Sequence, residues 1–192
     1  GAINGDDTVS LGIAIATGTN IGIETHHANT GDGGNTITVS DTGSITATGD
    51  NAHGINNDDL NTTIVSGSIT TGGDNAHGID NDNFNTTIVS GSITTEGDSA
   101  DGINNDDFNT TIVSGSITTG DDYAYGINND NFNTTIVSGS ITTTGSRYAI
   151  GIDVFDGNTV LLSGSISTSG LSADGIEAES FNVINVSGSI LT

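Results

Sequence analysis

The sequence predicts an all-β fold, a right-handed parallel β-helix of about 24 residues and three short strands per coil. Three observations carry this expectation. Gly-Ser-Ile recurs at Gly43, Gly67, Gly91, Gly115, Gly139, Gly164 and Gly188, every 24 residues except for one step of 25. A period of this size marks a solenoid, in which each repeat buries its apolar positions against its neighbours. There is no Pro, and no window shows a helical period. Short β-branched runs alternate instead with Gly, Asn and Asp, which favour turns.

One coil, residues 49 to 72, sets the expected elements. Strands are expected at Ala52 to Ile55, Thr62 to Ser66 and Ser68 to Thr71, with a corner at Gly67. Asn56 to Asp59 are expected to form an exposed turn, and Gly72 to Asn75 another. Stacked coils turn each position into a column with a rise of about 4.8 Å. Ile occupies the columns through Ile55 and Ile69 in every repeat, so both are core. The degenerate repeats orient the middle strand. They carry Ile37, Val160 and Ile184 in the column of Thr63, but Thr38 and Asn185 in that of Ile64. Since side chains alternate along a strand, Thr63 and Val65 face inward, and Thr62 and Ile64 outward.

Residues 35–192 read as one continuous domain of regular coils, and residues 1–34 as irregular N-terminal coils of the same solenoid. The chain stops inside a third strand with no evident cap. This suggests either a piece of a longer solenoid or open ends that pair head-to-tail.

Composition narrows the function. Apolar residues make up 32% and the net charge is −23, with a single basic side chain, Arg147. One Arg cannot neutralise a phosphate backbone, which argues against nucleic acid, and it leaves no polybasic membrane patch. No apolar run approaches a membrane span. There is no Cys, so neither disulfides nor thiolate metal sites exist.

The repeats Asp50-Asn51-Ala52-His53-Gly54-Ile55 and Thr63-Ile64-Val65-Ser66-Gly67-Ser68-Ile69 resemble those of bacterial autotransporter passenger regions. The likeness covers residues 35 to 192. It implies an adhesin-like β-helix displayed outside the cell or on the bacterial surface, and a non-enzymatic role as stalk, adhesin passenger or filament subunit.

Several sets of residues are candidates for function. Asp58, Asp82, Asp106 and Asp130 form an acidic column flanked by Asn57, Asn81, Asn105 and Asn129. Carboxylates and amides at coil spacing are hard-oxygen donors, so Ca²⁺ is the cation they would take, although no cofactor is required. Thr62, Ile64, Thr86, Ile88, Thr110, Ile112, Thr134 and Ile136 make an outward stripe suited to self-association, as a homopolymer or a lateral bundle. The alternative is binding of ice, or of a host or surface glycan, by flat Thr and Ser faces. Asn61, Asn85, Asn109, Asn133, Asn158 and Asn182 are an unbroken column, expected to be a structural ladder. His53 and His77 share a column that varies from coil to coil and is expected to be exposed. His26 and His27 lie in the irregular N-terminal coil, and neither pair has a third ligand in evidence that would make a metal site. Arg147 is expected to pair with Asp122. Acidic pairs such as Asp58-Asp59 recur in several coils and single out no catalytic centre, so no enzyme is expected.

Overall fold

The computed structural model describes residues 2–4, 8–26 and 34–192, with side chains for 8–25 and 34–192. His27, and the side chain of His26, lie outside the described residues. Among these residues there is no helix, and 24 strands form three parallel sheets of eight. Each sheet takes one strand from every coil, and strands pair only with their counterparts in adjacent coils. The protein is a β-solenoid. In the regular coils the register is set by the sequence period: Ile79 pairs with Ile103, Thr86 with Thr110, and Ser92 with Ser116. The N-terminal coil contributes to the same three sheets, with Thr8 pairing Thr36 and Glu24 pairing Asn56.

The core follows the expected columns. Ile55, Ile79, Ile103 and Ile127 on the first sheet are fully buried, as are Val65, Val89, Val113 and Val137 on the second. Ile69, Ile93, Ile117 and Ile141 close the third side. The middle strand Thr62–Val65 alternates as expected, with Thr63 and Val65 buried and Thr62 and Ile64 partly exposed.

The first strand departs from expectation. It runs from Ile55 to Asn57, not from Ala52 to Ile55, and in later coils it reaches Asp107 and Asn131. Residues 52 to 54 instead make a corner. A Cβ on Gly54 would lie 2.3 Å from Ile69 Cγ2 and 2.6 Å from Gly78 O, so only Gly fits where two sheets converge. Thr71 Oγ1 fastens this corner by donating to Ala76 O at 2.6 Å, repeated by Thr95 to Ala100 O.

The expected exposed turn over Asn56 to Asp59 is also corrected, because Asn57 points into the core. Asn57, Asn81, Asn105 and Asn129 are fully buried. Asn57 Nδ2 donates to Asn81 Oδ1 at 2.7 Å, Asn81 to Asn105 at 2.8 Å, and Asn105 to Asn129 at 2.8 Å. Each amide also donates to the inward Thr of its own coil, as Asn105 Nδ2 does to Thr111 Oγ1 at 3.2 Å. Partnered amides lose little on burial, so the strand continues where Asn would otherwise favour a turn.

The Gly67 corner lies where expected. It is enforced by close approach between coils: a Cβ on Gly115 would lie 2.0 Å from Gly91 O, and one on Gly67 2.1 Å from Gly43 O. By contrast, a Cβ on Gly72 would meet nothing closer than 4.0 Å.

Two predictions follow from these contacts. Gly115→Ala is expected to destabilise the solenoid by about 3 kcal/mol or more, whereas Gly72→Ala stays within about 0.5 kcal/mol. Chemical denaturation of both variants compares them directly. Asn105→Val is expected to cost about 1–3 kcal/mol, because it orphans a buried donor and acceptor. The double variant Asn105→Val/Thr111→Val should cost less than the sum of the two single changes, as a double-mutant cycle would show.

Candidate interaction surface

Burial of Ile, Val, Asn and Thr on the inside leaves long uniform columns on the outside. The Thr62/Ile64 stripe lies on the outer face of the second sheet, in register through Thr86/Ile88, Thr110/Ile112 and Thr134/Ile136. These side chains are half-buried, since each is covered on both sides by its own copies. At the next corner, Ser66, Ser90 and Ser114 and then Ser68, Ser92 and Ser116 line a shallow open groove of about 790 Å³ floored by Gly67, Gly91 and Gly115.

A further column of large apolar side chains is exposed over successive regular coils. Leu60, Phe84, Phe108 and Phe132 project from the corner between the first and second sheets, and the three Phe remain 49–57% exposed. Phe84 and Phe108 stack with centroids 5.1 Å apart and planes 4° apart; Phe108 and Phe132 follow at 5.2 Å and 10°. All four residues have positive φ, between 56° and 63°. For a bulky L residue this region costs roughly 1–2 kcal/mol. Gly157 holds the same position one coil on, at φ 70°. A Cβ there would lie 2.7 Å from the Phe132 ring, which covers it. The lone Gly in a Phe column was the sequence signal that the position is left-handed and therefore turned outward. Tyr123 and Tyr148 repeat the pattern at another corner, with φ of 60° and 48° and rings 5.3 Å apart.

The acidic columns adjoin this ridge. Asp58, Asp82, Asp106 and Asp130 are half-buried two residues before each exposed apolar side chain. The flanking Asn57 column expected to join them as ligands points into the core instead, so the amides do not face the carboxylates. Among the described residues, no three His, Asp or Glu groups converge as a metal cluster. Partial burial, then the neighbouring carboxylates, push Asp82 and Asp106 up to about 6 and raise Asp130. The next column relieves its charge by alternation. Asn83 Nδ2 donates to Asp59 Oδ1 at 3.0 Å, and Asn131 Nδ2 to Asp107 Oδ1 at 2.9 Å.

The Asn61 column is the structural ladder expected. The backbone N–H of Asn61 donates to Asn85 Oδ1 at 2.7 Å, and the pattern continues through Asn109, Asn133 and Asn158 to Asn182. Asn109 Nδ2 donates to Asp82 O and Asn133 Nδ2 to Asp106 O, both at 2.6 Å, tying the acidic turn to the coil behind it.

His53 and His77 are not exposed, as the variable column suggested. Their side chains are 14% and 17% exposed and stack 5.0 Å apart. His53 Nδ1 accepts the His77 backbone N–H at 3.0 Å, and His77 Nδ1 accepts that of Asp101 at 2.9 Å. Asp101 Oδ1 takes over the role, accepting the Tyr125 N–H at 2.7 Å. The acceptor role ends there, and the column continues as Tyr125 and Ile150. Burial holds His53 below its ordinary range and His77 down to about 4, against the pull of Asp80. The same burial lifts Asp101 well above the usual carboxylate range and Asp153 to about 6.

Arg147 meets Asp122 differently from expectation. Its backbone N–H, not its guanidinium, donates to Asp122 Oδ1 at 3.0 Å. The same bond joins Asp74 to Asp50, Asp98 to Asp74 and Asp122 to Asp98. The residue type at position 147 is therefore incidental to that contact.

No protein family, curated protein or solved structure matches the chain.

The titrating groups give a signed pH dependence. Raised carboxyls bind more protons in the folded chain than in the unfolded one. Their stabilisation is complete below about 3.8 and is lost as pH rises through about 6. The lowered imidazoles act oppositely, stabilising above about 6.5 and losing that contribution as pH falls toward 4. The raised carboxyls outnumber the two His, and lower pH also reduces the net charge. Tm should therefore rise on acidification from about pH 7 to about pH 5. In Asp82→Asn/Asp106→Asn the rise should flatten, as read by thermal melts across that range.

Proposed function

We propose that this chain is a non-enzymatic structural and adhesive β-solenoid, working outside the cell or on a bacterial surface as a stalk, adhesin passenger or filament subunit. The observation that carries the reading is the register of identical outward columns over successive coils. Such a surface presents the same contact many times along a stiff rod, so weak contacts combine into firm multivalent attachment. The resemblance of its repeats to autotransporter passengers supports the same role and location.

Self-association in this reading rests on the outward Thr/Ile stripe, which offers an apolar track for lateral bundling. A net charge of −23 opposes such contacts, so screening by salt or by Ca²⁺ should promote them.

Electron microscopy and sedimentation test the reading. Elongated particles are expected, with association that grows with concentration and salt and is lost laterally in Ile88→Asp/Ile112→Asp. Strictly monomeric particles at high concentration and high salt would defeat the self-association reading.

The outward Thr and Ser rows, evenly spaced on flat sheets, favour one second reading: binding of ice or of a glycan. Thermal hysteresis and ice-shaping assays test the first; absence of both removes it. A glycan array tests the second.

A further inference from the structure

The exposed ridge at the corner of the first two sheets has features that packing does not explain. Phe84, Phe108 and Phe132 sit in a left-handed backbone region that Gly157 occupies without strain at the equivalent position. Stacking returns about 0.5–1.5 kcal/mol per pair, no more than the strain it offsets. Large apolar side chains held strained and exposed are a sign of an interaction surface.

The chemistry of the partner follows from charge, geometry and spacing. Carboxylates lie two residues before each ring, and the chain carries one basic residue in all, so the partner is cationic as well as apolar. The Phe108 ring faces both neighbouring rings, and it is the edges that meet solvent. A sugar stacks on an aromatic face, so this ridge is poorly suited to a glycan. The rings repeat every 5.1–5.2 Å. Same-face residues of an extended strand recur about every 6.6–6.8 Å and drift out of step within a few coils. One turn of α-helix advances about 5.4 Å, so a helix lying along the solenoid axis sets one apolar side chain against each coil.

We propose that the Leu60–Phe84–Phe108–Phe132 ridge, with the carboxylates of Asp82 and Asp106 on its flank, docks a basic amphipathic α-helix laid parallel to the solenoid axis. The helix places its apolar stripe against the ring edges, at i, i+3, i+4 and i+7. Its Lys or Arg side chains reach over to the acidic column. This surface is separate from the Thr/Ile stripe, and its occupant is a different partner from a second copy.

A synthetic Leu/Lys peptide with Leu on one helical face is the probe, titrated against the whole chain by calorimetry. A peptide of the same composition, with Leu scattered around the helix, and an alternating Leu-Lys strand-former are the controls. The ordered peptide should bind at least about ten-fold more tightly than either control. Phe84→Gly/Phe108→Gly/Phe132→Gly should lower its affinity by about ten-fold or more while leaving the solenoid folded, since Gly157 already holds this conformation. Phe108→Gly alone provides the same comparison with a smaller effect should the triple variant fail to fold. Asp82→Asn/Asp106→Asn should weaken binding and flatten its salt dependence. Equal affinity for all three peptides would show attraction by net charge alone and overturn the proposal. So would unchanged binding to the Phe variants. Dimerisation of the wild type that vanishes in the Phe variants would assign the ridge to a second copy instead. Sedimentation without peptide reads that outcome, and reads bundling through the Thr/Ile stripe independently.

Discussion

Every feature of this molecule depends on one constraint: each residue stacks on its own counterpart about 5 Å away, coil after coil. The backbone ladders require this register. A side chain is therefore acceptable only if it is compatible with a copy of itself. Ile and Val satisfy this by dispersion and burial. Asn satisfies it because an amide is both donor and acceptor, so one copy can donate to the next without end. Phe and Tyr satisfy it by stacking. A carboxylate does not, since it only accepts, and like charges repel at this distance.

The acidic columns are so many ways around that difficulty. In the Asp50 column each carboxylate turns to the backbone N–H of the next coil. In the Asp59 column, Asp alternates with Asn, so each carboxylate meets an amide. In the Asp82 column, burial and neighbouring carboxylates push Asp82 and Asp106 up to about 6, and Asp82 shares a side-chain hydrogen bond with Asp58. A chain with so many carboxylates and one Arg thus remains a rod by giving each acidic column its own local remedy. The same logic explains why polar core positions change together. Where Asn129 gives way to Val154, the facing Thr135 gives way to Val160 in the same coil, so that coil buries neither an amide nor a hydroxyl at these two positions.

Much of this was legible beforehand, and the misreadings have physical causes. The Ile columns, the inward Thr63 and Val65, the Gly67 corner and the Asn61 ladder could be read from period and alternation. The Asn57 column was misread as a turn because local propensity ranks Asn as a turn former. Its partner lies a full coil away, where local propensity cannot see it. The paired switch to Val154 and Val160 carried the correct answer. Variation in the His53 column suggests exposure, but His53, His77 and Asp101 are sheltered and each accepts the backbone N–H of the next coil. The direction of the Phe column is not set by period or alternation, because it lies at a corner; the intruding Gly157 is the mark of the left-handed backbone that turns it outward.

The sequence by itself determined the repeat, the register and the inward face of the central strand, because these follow from a fixed period and a two-residue alternation. Only the tertiary structure decided what happens at the corners. There the direction of a side chain depends on a backbone dihedral and on the approach of a neighbouring coil. That is why Asn57 enters the core, why the His pair is sheltered, and why a ladder of Phe faces the solvent.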